Sequence, residues 1–279
     1  MDNINENVLT EEEQSLLDSI LEEAHGEQKD ENKLPEISPT AFIEESTSRF
    51  SSAEWFNKIQ EEEVLIAGIG GIGSWTSLLL SRLHVKSILA YDMDTVDNTN
   101  LSGQFFGHTN IGANKVYALY NLAQNFSNYF KINGINTEYN ENCVTKNVMI
   151  CGFDNMAARK VFFNNWKKRV NNLYPYNKNK CLFIDGRLAA EEFQVYCIRG
   201  DSTYLIDKYE NECLFTDSEA ENTLCSYKQT SFCANMIASV IINLFVNFIA
   251  NQCGPIVDRE LPFCTYYDAE RMYFKTTSV

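Results

Sequence analysis

From Val64 onward, short apolar runs alternate with stretches that have helical periodicity. The two clearest helical stretches are Ser74–Leu83 and Ile111–Phe126. The strand-like runs are Val64–Ile69, Ser87–Tyr91, Gly134–Tyr139, Val148–Cys151, Cys181–Asp185 and Phe193–Ile198. Strands that alternate with helices are typical of a parallel sheet covered on both faces. The pattern therefore predicts an α/β fold with a doubly wound, mostly parallel sheet.

Two patterns extend this prediction toward the end of the chain. Phe263–Tyr267 and Met272–Lys275 flank a polar turn, which predicts an additional C-terminal β-hairpin. The stretch Thr230–Ala250 is long and apolar enough to cross a bilayer. The polar residues that recur at every fourth position within it are Asn235, Ser239, Asn243 and Asn247. Such a stripe favours a buried or interface helix, so we expect no contact with a membrane.

Charge is distributed unevenly along the chain. Residues 1–46 carry 14 Asp or Glu and 2 Lys, and so hold 12 of the 15 net negative charges. We interpret this segment as a flexible acidic extension, either a solvated tail or a docking segment, and residues 47–279 as the folded domain. The nearly neutral domain has no basic stripe for phosphates, so we expect no nucleic-acid partner. Nine cysteines, an odd number, without a signal-peptide pattern favour reduced thiols and a cytoplasmic location.

A glycine cluster with the spacing G-x-G-x-x-G follows the first predicted strand and opens a predicted helix. Its glycines are Gly68, Gly70, Gly71 and Gly73. Glycines here let backbone N–H groups approach a phosphate, although a glycine turn can also serve only helix–strand packing. Asp92 ends the second strand where a ribose-binding carboxylate is expected, and the negative charge of Asp94 disfavours the 2′-phosphate of NADP. These features predict a Rossmann-like nucleotide site.

Four successive segments resemble motifs of the ThiF/MoeB/HesA family of adenylating enzymes, which activate ubiquitin-like proteins. The segments are Gly68–Gly73, Tyr91–Val96, Asn100–Phe105 and Gly112–Val116. Their order and spacing match the family over roughly residues 45–250. The resemblance implies an ATP-dependent adenylyltransferase of the ubiquitin-like modifier-activating type, which would act as a homodimer.

The resemblance also implies roles for individual residues. The glycine loop and Asp92 would hold ATP, Asn100 and Gln104 would line its phosphates, and Lys115 would contact them. Asp154 begins the pattern Asp-Asn-x-x-x-Arg, which corresponds to an aspartate associated with Mg²⁺. Magnesium and lysine would align the phosphates while a carboxylate attacks the α-phosphorus. The alternatives are a surface lysine at 115 and a simple helix cap at 154.

One position departs from the family pattern. Gly103 stands where family members usually have an arginine that contacts the nucleotide phosphates. The loss of such a charge-assisted donor commonly costs a few kcal/mol of transition-state stabilisation, so adenylation is weak unless another group compensates. Arg49 lies where family members extend an arginine across a dimer interface, and Arg159 and Arg187 are further candidates.

Cysteine chemistry adds one candidate. The resemblance places Cys225 on the crossover loop, where some family members form a covalent link to the activated partner, and Cys213 lies on the same loop. A nucleophilic thiol needs exposure and a lowered pKa, and the alternative is an ordinary small side chain. The chain has no Cys-x-x-Cys pair, so we expect no zinc site.

Together these features favour an enzyme that adenylates the C-terminal carboxylate of a small ubiquitin-like or sulfur-carrier protein or peptide. The product would be an acyl-adenylate, with or without later thioester transfer. A catalytically weakened scaffold protein of the same fold is the first alternative, because of Gly103. An NAD- or FAD-dependent oxidoreductase is the second, but it leaves Asn100, Lys115 and Asp154 unexplained.

Overall fold

The fold is built around one mixed β-sheet. The computed structural model describes Ile43 and residues 45–215, 229–254 and 258–278. Ser46–Val279 form one compact unit. Almost all of the acidic extension predicted at 1–46, and the candidate nucleophile Cys225, lie outside the described residues.

The sheet has eight strands in the order β3-β2-β1-β4-β5-β6-β7-β8. Their bounds are β1 Glu63–Ala67, β2 Ser87–Tyr91, β3 Ile132–Ile135, β4 Val148–Cys151, β5 Leu182–Ala189, β6 Glu192–Arg199, β7 Cys264–Asp268 and β8 Tyr273–Thr277. Strands β1 to β5 pair in parallel, whereas β5 to β8 form an antiparallel meander. The predicted α/β class and the C-terminal hairpin of β7 and β8 are therefore confirmed.

Helices cover both faces of this sheet. They are α1 Trp55–Ile59, α2 Gly71–Arg82, α3 Lys115–Ser127, α4 Met156–Asn171, α5 Pro175–Lys178, α6 Thr203–Lys208 and α7 Ser231–Ala250. Helices α1, α2, α3 and α7 pack on the side chains of one face, and α4 and α6 on those of the other. Because consecutive strand residues point to opposite faces, Ile66 and Ala67 enter different cores. The central strands β1 and β4 are thus buried on both sides, as expected for a doubly wound sheet, whereas β8 at the edge is exposed.

Several element boundaries differ from those predicted. The helix predicted from Ile111 begins only at Lys115, because Gly112 has φ +83°, which a right-handed helix cannot accommodate. The strand predicted from Gly134 begins at Ile132, where pairing with Ile88 starts the ladder. Strands β5 and β6 are longer than the apolar runs from which they were predicted, because a hairpin turn joins them and their antiparallel pairing continues up to that turn.

The long apolar helix α7 packs into the fold along one side. By length and composition alone it is the one helix of the described residues that could span a membrane, and half of it is buried inside the protein. Two asparagines at its C-terminal end, one in the polar stripe and one just beyond the helix, have intramolecular partners. Asn247 Nδ2 donates to the carbonyl of Glu260 at 3.1 Å, and Asn251 Nδ2 to that of Arg259 at 2.9 Å. The end of α7 therefore anchors the segment that leads into β7.

Candidate functional site

The predicted nucleotide residues collect where β1, β2 and β4 end. The N–H of Gly68 donates to the carbonyl of Tyr91 at 3.0 Å, and the N–H of Gly152 donates to that of Ala67 at 2.8 Å. Gly68 has φ +83°, and a Cβ there would lie 2.6 Å from the carbonyl carbon of Gly152. Backbone therefore packs directly on backbone at this point, which only glycine permits.

The four loop glycines have different surroundings. A Cβ at Gly73 would overlap the carbonyl oxygen of Gly68, so Gly73 serves the close packing of α2 on β1. Among the described residues, a Cβ at Gly70 would meet only Gln104 Nε2 within 4 Å, at 3.9 Å. Gly71 faces the side chain of Gln229, whose Oε1 a Cβ would overlap. Gly70 thus faces the more open space at the start of α2, where a phosphate would approach.

Asp92 fixes the glycine loop from the end of β2. Its carboxylate accepts the N–H of Ile69 at 2.6 Å and that of Asp94 at 2.8 Å. Burial raises the pKa of Asp92, while the charge of Lys115 and the two N–H bonds oppose the rise. Each carboxylate oxygen keeps a further lone-pair site, so the group can still accept ribose hydroxyls.

Lys115 lies at the start of α3 with its side chain buried. Its Nζ pairs with Asp94 Oδ2 at 2.7 Å, and its backbone N–H donates to the carbonyl of Asp94 at 2.9 Å. Only 6% of Lys115 is exposed, so it is not a surface lysine. An ammonium has three donors, and the pair with Asp94 uses one of them. The pair brings a cation to the predicted nucleotide site and neutralises Asp94.

The segment Asn98–Ser102 forms a short 3₁₀ turn beside the glycine loop. The Asn100 side chain accepts the N–H of Asp97 at 3.1 Å and so closes a capping box with Asp97. Gln104 follows the turn, and its Oε1 is buried without a hydrogen-bond partner among the described residues. A buried acceptor without a partner costs about 1–3 kcal/mol, so Gln104 Oε1 is suited to receive a ligand or water donor.

Asp154 lies exposed in the loop between β4 and α4. The cap of α4 is its neighbour: Asn155 Oδ1 accepts the N–H of Ala158 at 2.8 Å. The carboxylate of Asp154 is therefore not used for capping and is available to a ligand. No group of three or more His, Cys, Asp or Glu gathers among the described residues. Mg²⁺ commonly binds through one or two carboxylates plus substrate phosphates and water, a requirement that a single exposed Asp154 fits.

The other candidate arginines form a buried cluster around Asp185. Arg159 pairs with Asp185 and donates to the carbonyl of Phe153 at 2.6 Å. Arg187 Nε and Tyr209 Oη each lie 2.8 Å from Asp185 Oδ2. Both guanidinium groups are engaged by the buried carboxylate of Asp185, so moving either one toward a nucleotide would leave that charge less well neutralised. A role for Arg159 or Arg187 in place of the missing arginine stays a prediction.

Two further candidates, Arg49 and Cys213, differ in their exposure. Arg49 is exposed in the turn before α1, where a single chain cannot place it relative to a second copy. Cys213 is buried, and burial raises the pKa of its thiol, the opposite of what an attacking thiolate needs.

The space beside Gly103 contains the side chain of Gln229. A Cβ at Gly103 would lie 2.9 Å from Gln229 Cγ and from Gln229 Nε2. Gln229 could not be predicted as a neighbour of this glycine, because it lies 126 positions beyond Gly103 and forms no motif with it. The only sequence signal was the unexpected glycine itself.

Comparison with known proteins gives a family and a fold. The profile of the ThiF family matches residues 44–278. Ubiquitin-like modifier-activating enzyme 5 of Arabidopsis thaliana is 36% identical over 70 residues, and that of Mus musculus is 33% identical over 72. These matches cover 25% and 26% of this chain but only 16% and 18% of the two enzymes.

Solved structures match across most of the chain at low identity. PaaA has a TM-score of 0.66 at 13% identity, over 98% of this chain and 84% of its own. Escherichia coli MccB with ATP has a TM-score of 0.60 at 14% identity, over 97% of this chain and 79% of its own. E. coli tRNA N6-threonylcarbamoyladenosine dehydratase, TcdA, has a TM-score of 0.55 at 14% identity, over 77% of this chain and 98% of its own. At such identities the likeness establishes the fold.

Proposed function

The chain belongs to the ThiF family, and we propose that it binds Mg·ATP and adenylates the C-terminal carboxylate of a ubiquitin-like or sulfur-carrier protein or peptide. A carboxylate oxygen would form a bond to the α-phosphorus, the bond from the α-phosphorus to the bridging oxygen would break, and pyrophosphate would leave. Support comes from MccB, which has been solved with ATP and with MccA, and from the partial match to modifier-activating enzymes.

The observation that carries the proposal is the arrangement around the glycine loop. Gly70 opens the N-terminus of α2, Asp92 holds the loop and Lys115 supplies a buried cation. Gln104 Oε1 has no hydrogen-bond partner among the described residues. Backbone N–H groups at a helix N-terminus together with a cation bind phosphates well. Asp154 would hold the magnesium ion, which neutralises developing phosphate charge when it is bound.

The chain's own residues would then orient the reaction and leave little need for a general base. A C-terminal carboxylate is already ionised at neutral pH and can attack without losing a proton. Lys115 and the loop N–H groups would hold the phosphates in line, and Asp92 would fix the ribose. Positioning and charge neutralisation therefore account for the chemistry.

Pyrophosphate exchange tests this function directly. Peptides with free C-terminal carboxylates would be supplied with ATP and isotope-labelled pyrophosphate, and the same peptides with C-terminal amides are the matched control. We expect exchange with at least one free carboxylate, no exchange with its amide, and loss of exchange in Asp154→Ala. Absence of exchange with every carboxylate, or exchange that survives amidation, contradicts the proposal.

We also propose a homodimer in which Arg49 reaches the site of the second copy. Arg49 is exposed and no ion pair within the described residues holds it, so a second copy can receive it. Mixing Arg49→Ala with Asp154→Ala chains would then rebuild one intact site in each mixed dimer. If equal amounts of the two chains pair at random, about half of the dimers are mixed, so about a quarter of all sites should be intact. Mixtures without recovery, together with a monomeric mass in sedimentation, contradict the arrangement.

A scaffold protein without adenylation activity is the second candidate, because Gly103 supplies no arginine to the phosphates. This candidate predicts partner binding without pyrophosphate exchange. Pyrophosphate exchange therefore distinguishes the adenylating enzyme from the scaffold protein.

A further inference from the structure

The side chain of Gln229 lies between two glycines of the nucleotide site. A Cβ at Gly71 would overlap Gln229 Oε1 and would lie 2.9 Å from Gln229 Cδ. A Cβ at Gly103 would lie 2.9 Å from both Gln229 Cγ and Gln229 Nε2. The carboxamide therefore occupies space that a Cβ at either glycine would take, and it lies at the first turn of α2.

One bridge and one helix cap locate the backbone of Gln229 and of the residue that follows it. Gln229 forms a parallel bridge with Ala190, at the turn between β5 and β6. The next residue, Thr230, caps α7 by accepting the N–H of Cys233 at 3.4 Å. The following turns of α7 are buried against the sheet. The carboxamide is thus presented to the glycine loop from a fixed position on the fold.

The chemistry of the carboxamide suits the position. A glutamine amide has two N–H donors, and backbone N–H groups of the first turn of α2 supply further donors beside it. Gly103 carries no side chain and so supplies no donor. We propose that Gln229 binds the nucleotide phosphates through Nε2 and substitutes for the arginine that Gly103 lacks. This inference rests on the proposed binding of Mg·ATP.

The side chain at position 103 and the side chain at position 229 compete for the same space, and this makes the proposal testable. An arginine at 103 would place its Cβ against Gln229, so the Gln229 side chain would have to leave its present position. Shortening residue 229 to alanine removes the atoms that meet this Cβ. Gly103→Arg and Gln229→Ala should therefore each impair the protein singly and compensate when they are combined.

Mg·ATP titration of wild type, both single variants and the double variant measures this coupling, with circular dichroism and thermal unfolding to verify the fold. Gln229→Ala should raise the Kd for Mg·ATP about tenfold or more, because a hydrogen bond to a charged group is lost. Gly103→Arg should lower Tm, and Gln229→Ala/Gly103→Arg should recover Tm and bind Mg·ATP at least as tightly as wild type. Gln252→Ala is the matched control, since Gln252 Nε2 bonds the carbonyl of Phe248 at the far end of α7.

The outcomes separate this inference from the function it rests on. Wild-type chain that binds Mg·ATP, with Gln229→Ala binding as tightly as Gln252→Ala, overturns the role of Gln229 alone. Strictly additive effects of Gly103→Arg and Gln229→Ala on Kd and Tm overturn it as well. Failure of the wild-type chain to bind Mg·ATP at millimolar concentration contradicts the proposed function itself.

Discussion

Alanine substitutions at Gly73 and Gly70 should separate the structural glycine of the loop from the ligand-facing one. A Cβ at Gly73 would overlap the Gly68 carbonyl oxygen and lie 2.9 Å from its carbonyl carbon. These are backbone atoms, and the Gly68 N–H is itself bonded to Tyr91, so the loop cannot yield without losing that bond. Overpacking of this kind costs about 3 kcal/mol, which corresponds to about 6–12 °C in Tm for a domain of this size.

Gly70→Ala is the matched control. Gly70 has φ −84° and ψ −142°, a combination outside the main α and β regions, and among the described residues its Cβ would meet only Gln104 Nε2 within 4 Å, at 3.9 Å. The free energy of unfolding should therefore fall by about 1 kcal/mol from backbone strain, well below the loss expected for Gly73→Ala. The same Cβ would stand where we propose that phosphate approaches, so Gly70→Ala should weaken Mg·ATP binding about tenfold or more.

Urea unfolding and Mg·ATP titration of the two variants measure both quantities. Gly73→Ala should lose about 3 kcal/mol of stability, whereas Gly70→Ala should lose affinity with a stability loss of only about 1 kcal/mol. Equal losses of stability in the two variants would refute the assignment of separate roles, as would a Gly70→Ala chain that binds Mg·ATP like wild type.

Four further substitutions test the bonds of the glycine loop, the cap of α4 and the buried ion pairs. Asp92→Asn should lower the free energy of unfolding by about 1–3 kcal/mol in urea titrations, because an amide has one oxygen for the two N–H donors that the carboxylate serves; an unchanged unfolding midpoint would show that these bonds do not hold the loop. Asp154→Ala should change the free energy of unfolding by no more than about 0.5 kcal/mol, since the residue is exposed and caps no helix. Asn155→Ala should lower it by about 1 kcal/mol, because the cap of α4 is lost. A larger loss of stability in Asp154→Ala than in Asn155→Ala would mean that the cap is misassigned. Arg159→Met should cost about 3–5 kcal/mol because it strips a partner from buried Asp185, and a stable variant would contradict the ion-pair cluster.

Titration of Glu63 gives a prediction for pH dependence. Hydrogen bonds from Lys146 and Lys86 lower the pKa of Glu63 from its usual 4.5. A lowered pKa in the folded state contributes stability above pH 4.5, and this contribution is lost as pH falls through the lowered value. Glu63→Gln should therefore be less stable than wild type at pH 7, and the difference should vanish in acid. A difference in unfolding midpoint that is independent of pH would contradict the pairing.

The sequence predicted most reliably those features that depend on local patterns. Ser87–Tyr91 and Val148–Cys151 are strands with the predicted bounds, because continuous apolar runs end there at polar or glycine residues. The glycine loop and Asp92 were found because the spacing of a motif reflects one strand, one turn and one helix.

Features that depend on distant contacts could not be predicted in this way. Periodicity does not say whether Phe193–Ile198 runs parallel or antiparallel to its neighbour, and the hairpin turn at Ala190 has φ +54°, which alanine rarely adopts. The buried pairing of Arg159 and Arg187 with one carboxylate also requires the assembled sheet. The contact between Gln229 and Gly103 has the same cause, since it forms only when α7 docks.

Calorimetric titration of the full chain with Mg·ATP, and separately with NAD, tests the central claim most directly. We predict binding of Mg·ATP in the micromolar range that weakens in Asp154→Ala, with no comparable binding of NAD. Tight binding of NAD, or no binding of Mg·ATP at millimolar concentration, would contradict the assignment of this site to adenylation.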